Sequence, residues 1–398
     1  MRILFVSFGS SIHTARWINQ LRDQKWDLHL FPVDPYFLHA DLRDVTVHTL
    51  FKHRGNHIHP SVRQSSLPWP FKRGEARVRA ALKRLPGDPG SAAARLGRTI
   101  RALKPDVIHS MTVHGGILTL KSRERVAGDF PPWIYFSWGP DFSYYEKLPE
   151  FSSDVRAAVS GCDYLMADCQ RELDLAPGLG FKGKMLGVFP GAGGYRIGEM
   201  IRYRQEGPVS KRRLIMLKGR QGDFGGRALV ALQAIQMCAD RLRGYEVVVY
   251  MPQGDPVVPY AAQYVSFVTG LPIEVLPEHR PSEEILSLMG RARIAISVGL
   301  VDGTPQAMLE AMVMGALPIQ SNSADTQGWI DDGKNGILVP AEDHNAIAAA
   351  IEKAVSDDQM VEQAAETNLN LTKERIDISQ VRPRVVDLYE RIRDKKMP

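Results

Sequence analysis

Residues 298–340 are the most informative stretch of the chain and read VGLVDGTPQAMLEAMVMGALPIQSNSADTQGWIDDGKNGILVP. The preceding apolar, β-rich run from Ile294 to Val298 predicts a buried parallel strand. Asp302 follows this strand, and Gly303 allows the backbone to turn sharply. A helix predicted over Gln306 to Met314 then directs free backbone N–H groups and its positive dipole end toward the turn. The sequence therefore predicts an anion-binding site, suited to a diphosphate, between this strand and this helix.

Two carboxylates flank the predicted anion-binding site. Asp302 and Glu310 are separated by seven residues, which include Pro305, a residue suited to a first helical turn. Carboxylates repel an anion but accept hydrogen bonds from hydroxyls, which a sugar nucleotide carries on both its sugar and its ribose. The pattern therefore favours a sugar-nucleotide site, and the alternative is an ordinary strand-to-helix turn with two solvated acids.

Length and composition indicate two domains. A chain of 398 residues fits two cores of about 180 to 200 residues each. Its 44% hydrophobic and 24% charged residues are typical of soluble globular proteins. Short β-rich runs alternate with helical stretches, which predicts an α/β fold with parallel sheets. A glycine-rich segment at 190–194, followed by polar sequence to Lys211, predicts the linker.

The predicted strands divide between the two halves of the chain. The first half contains seven, at 3–7, 27–33, 45–50, 106–111, 133–138, 164–167 and 184–189. The second half contains six, at 214–217, 246–251, 273–276, 294–298, 317–320 and 337–339. A last helix over Val381 to Lys395 follows a complete second domain.

Targeting signals and cysteine spacing indicate a reducing cytoplasm. No run reaches the ~18 apolar residues that a membrane span needs. The N-terminus, MRILFVSFGSS, has too short an apolar run for a signal peptide and predicts the first strand. Cys162, Cys169 and Cys238 follow no metal-binding or redox spacing.

The segment DGTPQAMLEAMVMGALPI, residues 302–319, resembles the donor site of GT-B retaining glycosyltransferases of the family 4 type. That family has two glutamates separated by seven residues, in a sequence like EGFPxxxLEAMAxGxPVV. The similarity extends through Asp332-Gly333 and Asn335-Gly336 to the strand 337–339. The resemblance implies two Rossmann-like domains facing across a cleft, at 1–205 and 206–380, with the helix in 381–398 returning to the first domain.

The resemblance also implies roles for the residues of the donor site. Glu310 would hold the ribose hydroxyls, whereas Asp302, Gly303, Thr304 and Pro305 would hold the transferred sugar. Asp302 replaces the family's glutamate, and its side chain is one methylene shorter. Either the sugar therefore lies closer to the turn at Asp302, or a water molecule lies between the carboxylate and the sugar.

A cation is required at the diphosphate because negative charge develops there as the sugar departs. By resemblance, Arg220 is the family's arginine in this position, and it binds phosphate through a bidentate fork. The family's lysine position falls on Gly225, and Lys218 and Arg227 are the candidates to replace it. The N-terminus of the helix at Gln306 is expected to assist them.

The loop after the first strand is expected to bind an acceptor or a phosphate. Ligands of open α/β sheets bind outside the carboxyl ends of the strands. Gly9, Ser10 and His13 occupy that position here, although His13 fits a surface helix start equally well. The loop lacks the G-x-G-x-x-G fingerprint, which argues against a nicotinamide enzyme.

Two further loops of the first domain contain candidate site residues. Family members often have His-x-His after the fourth strand. Here His109 is followed by Met111 in the second position, so His114 is the catalytic candidate. Trp138 to Asp141 resembles a Trp-Gly-Ser-Asp sequence of related transferases, in which Trp138 would support a sugar ring and Asp141 would accept hydroxyl hydrogen bonds. The alternative is a core tryptophan and a helix-capping aspartate.

The sequence predicts neither a metal nor another cofactor. It contains no Asp-x-Asp metal clamp, and His53, His57 and His59 lack the carboxylate or cysteine that would complete a ligand set. The donor itself would be a substrate.

The region 67–104 is strongly basic. Ten Lys or Arg residues lie between Lys72 and Lys104, against two acids, and apolar residues recur there at helical spacing. This pattern predicts peripheral contact with an anionic membrane, with a core-packed helix as the alternative. No nucleic-acid-binding module is present, so nucleic acid is not an expected partner.

The resemblance as a whole implies a cytoplasmic, metal-independent retaining glycosyltransferase. It would move a sugar from a nucleotide-diphosphate sugar to a glycan, lipid-linked or small-molecule hydroxyl. The expected setting is synthesis of cell-surface polysaccharide or glycoconjugate at the inner face of the membrane. Two alternatives are a GT-B sugar-nucleotide epimerase and a non-catalytic nucleotide- or glycan-binding protein.

Overall fold

The computed structural model describes the chain except for residues 35–36, 54–56, 68–89, 127, 223–224, 253–255, 278–279, 327 and 396–398. The chain forms two compact units. The first contains Met1–Gly194 and Ile378–Pro398, and the second contains Tyr195–Asp377. Both units are α/β folds built on a parallel sheet, as the alternation of strands and helices predicts.

The first unit contains an eight-stranded parallel sheet in the order β4-β3-β2-β1-β5-β6-β7-β8. Its strands are β1 (Arg2–Ser7), β2 (Asp27–Pro32), β3 (Thr46–Phe51), β4 (Arg63–Leu67), β5 (Val107–Met111), β6 (Trp133–Ser137), β7 (Tyr164–Ala167) and β8 (Lys184–Val188). The described helices before residue 194 are α1 (Ile12–Asn19), α2 (Ala92–Leu103), α3 (Thr112–Arg123), α4 (Pro149–Gly161) and α5 (Gln170–Leu175).

The second unit contains a six-stranded parallel sheet in the order β11-β10-β9-β12-β13-β14. Its strands are β9 (Leu214–Lys218), β10 (Glu246–Tyr250), β11 (Ile273–Val275), β12 (Ala292–Ser297), β13 (Leu317–Ser321) and β14 (Ile337–Val339). Its described helices are α6 (Ile197–Met200), α7 (Ala228–Met237), α8 (Val257–Thr269), α9 (Ser282–Arg291), α10 (Gln306–Met314), α11 (His344–Ser356) and α12 (Asp358–Ile376).

The last helix, α13 (Ile378–Arg393), belongs to the first unit. Val385 and Tyr389 are fully buried in the same apolar cluster as β1 and α1. The Tyr389 hydroxyl accepts a hydrogen bond from Trp17 Nε1 at 3.1 Å and also contacts His109 Nδ1. Since these groups lie on α1 and β5, the C-terminal helix completes the core that the N-terminal part of the chain begins.

The observed division of the chain differs from the boundary expected at 205/206. Tyr195 donates a backbone hydrogen bond to Ile376 at 2.8 Å, and Gln205 donates one to Gly290 at 3.0 Å. Arg204 Nε donates to the Val313 carbonyl at 2.8 Å. Residues 195–205 are therefore part of the second unit, because their polar groups are bonded within it.

Each of the thirteen predicted strands is present with ends that differ by no more than two residues. The described residues contain one further strand, β4, which pairs in parallel with β3. Its sequence, RQSSL, lacks the apolar run that marks the other strands because β4 lies at the edge of the sheet.

Two histidines make the stability of the first unit sensitive to acid. Burial lowers the pKa of His109 to about 3, and burial followed by the charge of His29 lowers the pKa of His48 to about 4. Below about pH 6.5 the unfolded chain binds protons at these positions while the folded chain does not. Their stabilising contribution is therefore present above pH 6.5 and is lost as the pH falls toward 4.

We predict that His48→Gln makes the free energy of unfolding less dependent on pH between 6.5 and 4.5. The expected change is at most ~1.4 kcal/mol for each pH unit and each histidine. Buried Asp141 and Glu172 have raised pKa values, which make the folded state less stable as the pH rises, opposite to the effect of the histidines. The measurement therefore compares the pH dependence of the unfolding free energy between variants, by urea unfolding. The exposed His59→Gln serves as the control, and equal slopes for both variants and the wild type would contradict the prediction.

Candidate functional site

The strand order of the second unit's sheet reverses between β9 and β12: successive strands are added on one side of β9 and then on the other. In open parallel sheets, ligands bind at such a switch point, outside the carboxyl ends of the strands. β9 ends at Lys218 and β12 ends at Ser297, and the two strands pair directly. The loop that carries Arg220 and the turn that carries Asp302 therefore lie at the same edge of the sheet.

A pocket at this edge contains three of the predicted donor-site residues, Lys218, Arg220 and Asp302. Burial lowers the pKa of Lys218, the carboxylates of Asp302 and Glu310 oppose that effect, and Arg220 adds to it. Arg220, Asp302 and Glu310 thus all lie within electrostatic reach of Lys218. The other residues that line the pocket are Gly225, Gly226, Ser297, Val298, Gly299, Val301, Gln320 and Ser321.

The glycine at position 225 accounts for the missing family lysine. A Cβ atom at this position would lie 2.9 Å from Nε of Arg220, so a larger side chain would displace the guanidinium. Arg227 is held away from the pocket, since its Nη1 donates to the Gly222 carbonyl at 2.6 Å and its Nε to Glu342 at 3.2 Å. Of the two candidates, Lys218 rather than Arg227 lines the pocket.

The turn before α10 has the predicted form. The helix begins at Gln306 after Pro305 in an extended conformation (φ −67°, ψ 119°), and no side-chain hydrogen bond caps its start. The Asp302 carbonyl accepts a hydrogen bond from the Asp325 amide at 3.2 Å. Gly303 is buried in this turn, and the start of the helix follows Asp302 by only four residues.

The side chain of Gln306 supports the turn instead of projecting toward a ligand. Its Oε1 accepts a hydrogen bond from the hydroxyl of Tyr195. Its Nε2 donates to the carbonyl of the buried Thr304 at 3.3 Å. Both polar atoms of the Gln306 side chain are therefore hydrogen-bonded within the second unit.

Sequence reasoning missed two residues at this edge. Gln320 is only 2% exposed and lines the pocket, and its Oε1 has no hydrogen-bond partner in the described part of the chain. Tyr250 ends β10, and burial followed by the charge of Glu310 raises the pKa of its hydroxyl. The signal for Gln320 was a carboxamide at the end of a strand that is otherwise buried and apolar.

The first unit has its own switch point between β1 and β5. His114 is the third residue of α3, directly after β5, and its ring centroid lies 5.2 Å from that of Phe8, directly after β1. Burial lowers the pKa of His114, so its ring favours the neutral form.

The backbone around His114 is tightly constrained. Thr112 has φ +67°, a rare conformation for a β-branched residue. Gly115 is required here because a Cβ would lie 2.4 Å from the Val6 carbonyl oxygen.

Two hydrogen-bond donors of the loop after β1 are bonded within the first unit. The Gly9 amide donates to Asp34 Oδ1 at 3.0 Å, and the Ser10 hydroxyl donates to Asp34 Oδ2 at 2.6 Å. Asp34 therefore binds two of the groups that we expected to meet an acceptor or a phosphate. His13 lies at the start of α1 and contacts Trp138, with 5.8 Å between ring centroids.

The structure buries Asp141, which we expected to accept hydrogen bonds from sugar hydroxyls. The residue is 1% exposed, and its carboxylate accepts hydrogen bonds from the Tyr135 hydroxyl at 3.2 Å and the Trp138 amide at 3.3 Å. Burial, followed by the charge of Glu172, raises its pKa well above the ordinary value. Asp141 therefore holds the turn after β6 from inside, and half-buried Trp138 packs partly against the core.

Two family models match this chain. Residues 2–168 match the model described as glycosyl transferase 4-like, and residues 274–370 match glycosyl transferases group 1. The two matches lie in the two units and together include most of the chain.

The chain belongs to the GT-B glycosyltransferases of the family 4 type.

Individual relatives of this glycosyltransferase are distant. It is 32% identical over 97 residues to a GDP-mannose-dependent α-(1-6)-phosphatidylinositol monomannoside mannosyltransferase of Mycolicibacterium smegmatis. That match spans 24% of this chain and about a quarter (25%) of the relative's length.

Solved structures share the fold of this glycosyltransferase. HepE of Anabaena in complex with UDP has 15% identity and a TM-score of 0.68, over 98% of this chain and 100% of HepE. The α,α-trehalose 6-phosphate synthase of Burkholderia multivorans has 14% identity and a TM-score of 0.70, over 100% of both chains. These similarities confirm the predicted GT-B fold.

The described part of the glycosyltransferase contains no helix long and apolar enough to cross a membrane. It also contains no group of three or more His, Cys, Asp or Glu side chains arranged to hold a metal ion. Most of the basic region predicted to contact a membrane, residues 68–89, lies outside the described residues.

Proposed function

We propose that this protein is a retaining glycosyltransferase that moves a sugar from a nucleotide-diphosphate sugar to an acceptor hydroxyl. One observation carries the proposal: Lys218, Arg220 and Asp302 share a pocket at the switch point of the second unit. Glu310 lies within electrostatic reach of Lys218, and the uncapped start of α10 follows Asp302. Cations and amides suit a diphosphate, and the carboxylates suit the hydroxyls on either side of it.

The proposed reaction is a substitution on one face of the sugar. The bond between the anomeric carbon and the diphosphate oxygen breaks, and the acceptor oxygen bonds to that carbon on the same face. The acceptor proton passes to the departing diphosphate oxygen. Arg220, Lys218 and the amides at Gln306 stabilise the charge of the leaving group, so the proposed mechanism needs no metal ion. Asp302 and Glu310 position the donor and neither serves as a general base.

The first unit is proposed to bind the acceptor. His114 and Trp138 follow β5 and β6, which are neighbours of β1 at its switch point. A half-buried indole offers a flat apolar surface to a sugar ring. Ser10 and His13 flank the same edge, with the Ser10 hydroxyl held by Asp34.

We propose a glycan or lipid-linked acceptor in the synthesis of a cell-surface glycoconjugate, at the cytoplasmic face of the membrane. The relative that acts on a phosphatidylinositol mannoside supports this choice. The crystal structure of HepE with UDP supports a nucleotide-sugar donor.

Incubation with a panel of UDP, GDP and ADP sugars tests the proposal. A transferase should release nucleotide from one donor faster when membrane extract supplies the acceptor. An epimerase would form a free epimerised sugar or sugar nucleotide without extract, and a binding protein would raise the melting temperature without turnover. Either of the last two results would contradict transfer.

We predict that Gln320→Leu weakens use of the donor. Its buried carboxamide can both donate and accept, which suits a sugar hydroxyl better than an acceptor-only diphosphate. Loss of this contact should lower kcat/KM by roughly tenfold, since one such hydrogen bond contributes ~1–2 kcal/mol. Steady-state kinetics with the active donor provides the measurement, and the exposed Gln233→Leu provides the control. Equal kinetics for both variants would exclude a donor contact at Gln320.

A further inference from the structure

Helix α8 of the second unit presents a row of apolar side chains to solvent. Tyr260 is 67% exposed, Tyr264 60% and Phe267 88%, in steps of three or four residues that place them on one face. Val257 and Val268, at 40% and 44%, extend the row to both ends of the helix. We call these five residues the α8 patch. The opposite face is buried in the core through Val258, Ala262 and Val265.

The α8 patch is large for the surface of a monomer. Its three aromatic side chains and two valines expose roughly 500 Å² of mainly apolar surface, because a whole aromatic side chain presents about 150–250 Å². The largest apolar patch on a typical monomer is about 300–600 Å² and is often functional. A stable interface buries about 800 Å² on each partner, and about 65% of that area is apolar in homodimers. The patch therefore has the apolar area that one side of a homodimer interface needs.

The charge distribution distinguishes between the kinds of partner. Residues 257–269 include no charged side chain. An anionic membrane surface would select a basic rim around such aromatic residues. A second copy of an uncharged helix brings no like charges together, so this surface suits self-association.

Helix α8 lies beside the edge strand of the second unit's sheet. α8 packs against α7 and β11, and β11 is the edge strand of the six-stranded sheet. A helix of thirteen residues is ~20 Å long, enough for an antiparallel pair with its copy. In a two-fold arrangement the same patch serves both partners, and residues near the middle of the helix approach their own copies.

We propose that the α8 patch is the interface of a two-fold homodimer of this chain. The phenol and phenyl rings form the apolar centre of the contact, and the helix of one protomer packs antiparallel against that of its partner. This assignment does not depend on the reaction proposed for the pocket at Lys218.

Sedimentation equilibrium of the full chain over a wide concentration range tests the proposal. The wild type should form a dimer, and Phe267→Glu should raise its dissociation constant at least a hundredfold, because the glutamate would lie buried without a partner. Tyr264→Glu should have the same effect. Met185→Glu is the matched control, since Met185 is an exposed apolar residue (41%) outside the patch and should leave the dimer intact. Melting curves establish that each variant is folded.

Oxidative cross-linking provides the second measurement. The three native cysteines are buried, so Tyr264→Cys introduces a single exposed thiol near the middle of α8. This variant should form a disulfide-linked dimer, whereas Met185→Cys should not. A wild type that remains monomeric at every concentration would overturn the proposal. So would a dimer that both glutamate variants leave intact, or vesicle binding by a monomer that Phe267→Glu abolishes.

Discussion

Arg220→Ala is expected to lower kcat/KM for sugar transfer by on the order of 10²–10³-fold while the protein remains folded. The guanidinium lies in the pocket with Lys218 and Asp302, where the diphosphate of the donor would bind. Negative charge grows on that diphosphate as the sugar departs, so a fixed cation stabilises the transition state more than the bound donor. The loss should therefore appear in kcat as well as in KM.

Two matched variants separate this role from a general effect of charge. Arg220→Lys keeps the charge but not the planar fork, so it should recover only part of the activity. Arg243→Ala removes an arginine whose side chain is 84% exposed, and it should behave as the wild type. Turnover by Arg220→Ala within threefold of the wild type would contradict the assignment of the diphosphate site.

Local sequence patterns predicted the elements that position this site. The helix over Gln306–Met314 has the predicted ends, because Pro305 precedes it and Gly315 follows it in a left-handed conformation (φ 82°). The run of apolar residues before Asp302 predicted β12 for the same reason: a strand buried on both faces excludes polar residues. These features depend on neighbours in the sequence.

Features that depend on distant neighbours could not be predicted in this way. Asp34 binds the loop of Gly9 and Ser10 from about 25 positions along the chain, and no local pattern links them. Asp141 resembled a loop acid that accepts hydrogen bonds from sugar hydroxyls, but the structure buries it, and burial followed by the charge of Glu172 raises its pKa. Sequence patterns identify polar residues near strand ends, whereas packing decides which of them a ligand can reach.

The replacement of the family lysine also shows that sequence patterns propose candidates and that packing distinguishes between them. The sequence left Lys218 and Arg227 as candidates, since they lie on either side of the turn that contains Gly225. The structure distinguishes them because Arg227 donates to the Gly222 carbonyl and to Glu342, while Lys218 lines the pocket. Asp302 remains a candidate for the transferred sugar, and it lines the same pocket as Lys218, whose charged form it favours.

Glu310→Ala is expected to lower kcat/KM for transfer by about a hundredfold through loss of contacts to the ribose. A charged carboxylate that accepts hydrogen bonds from two hydroxyls contributes about 1.5–3 kcal/mol for each bond. Alanine is the most favourable residue for a helix interior, so α10 should remain intact. The carboxylate also favours the charged form of Lys218, and its removal should weaken diphosphate binding in addition.

A ribose-modified donor isolates the contact that Glu310 makes. In the wild type, a 2′-deoxyribose form of the active donor should give a lower kcat/KM than the ribose form. If Glu310 holds the ribose hydroxyls, Glu310→Ala should use the two donors almost equally, because the partner of the missing hydroxyl is already absent. Asp302→Ala should keep the discrimination, since Asp302 is assigned to the sugar. A Glu310→Ala enzyme that still discriminates as the wild type does would place the ribose elsewhere, and a loss of discrimination in Asp302→Ala would exchange the two roles.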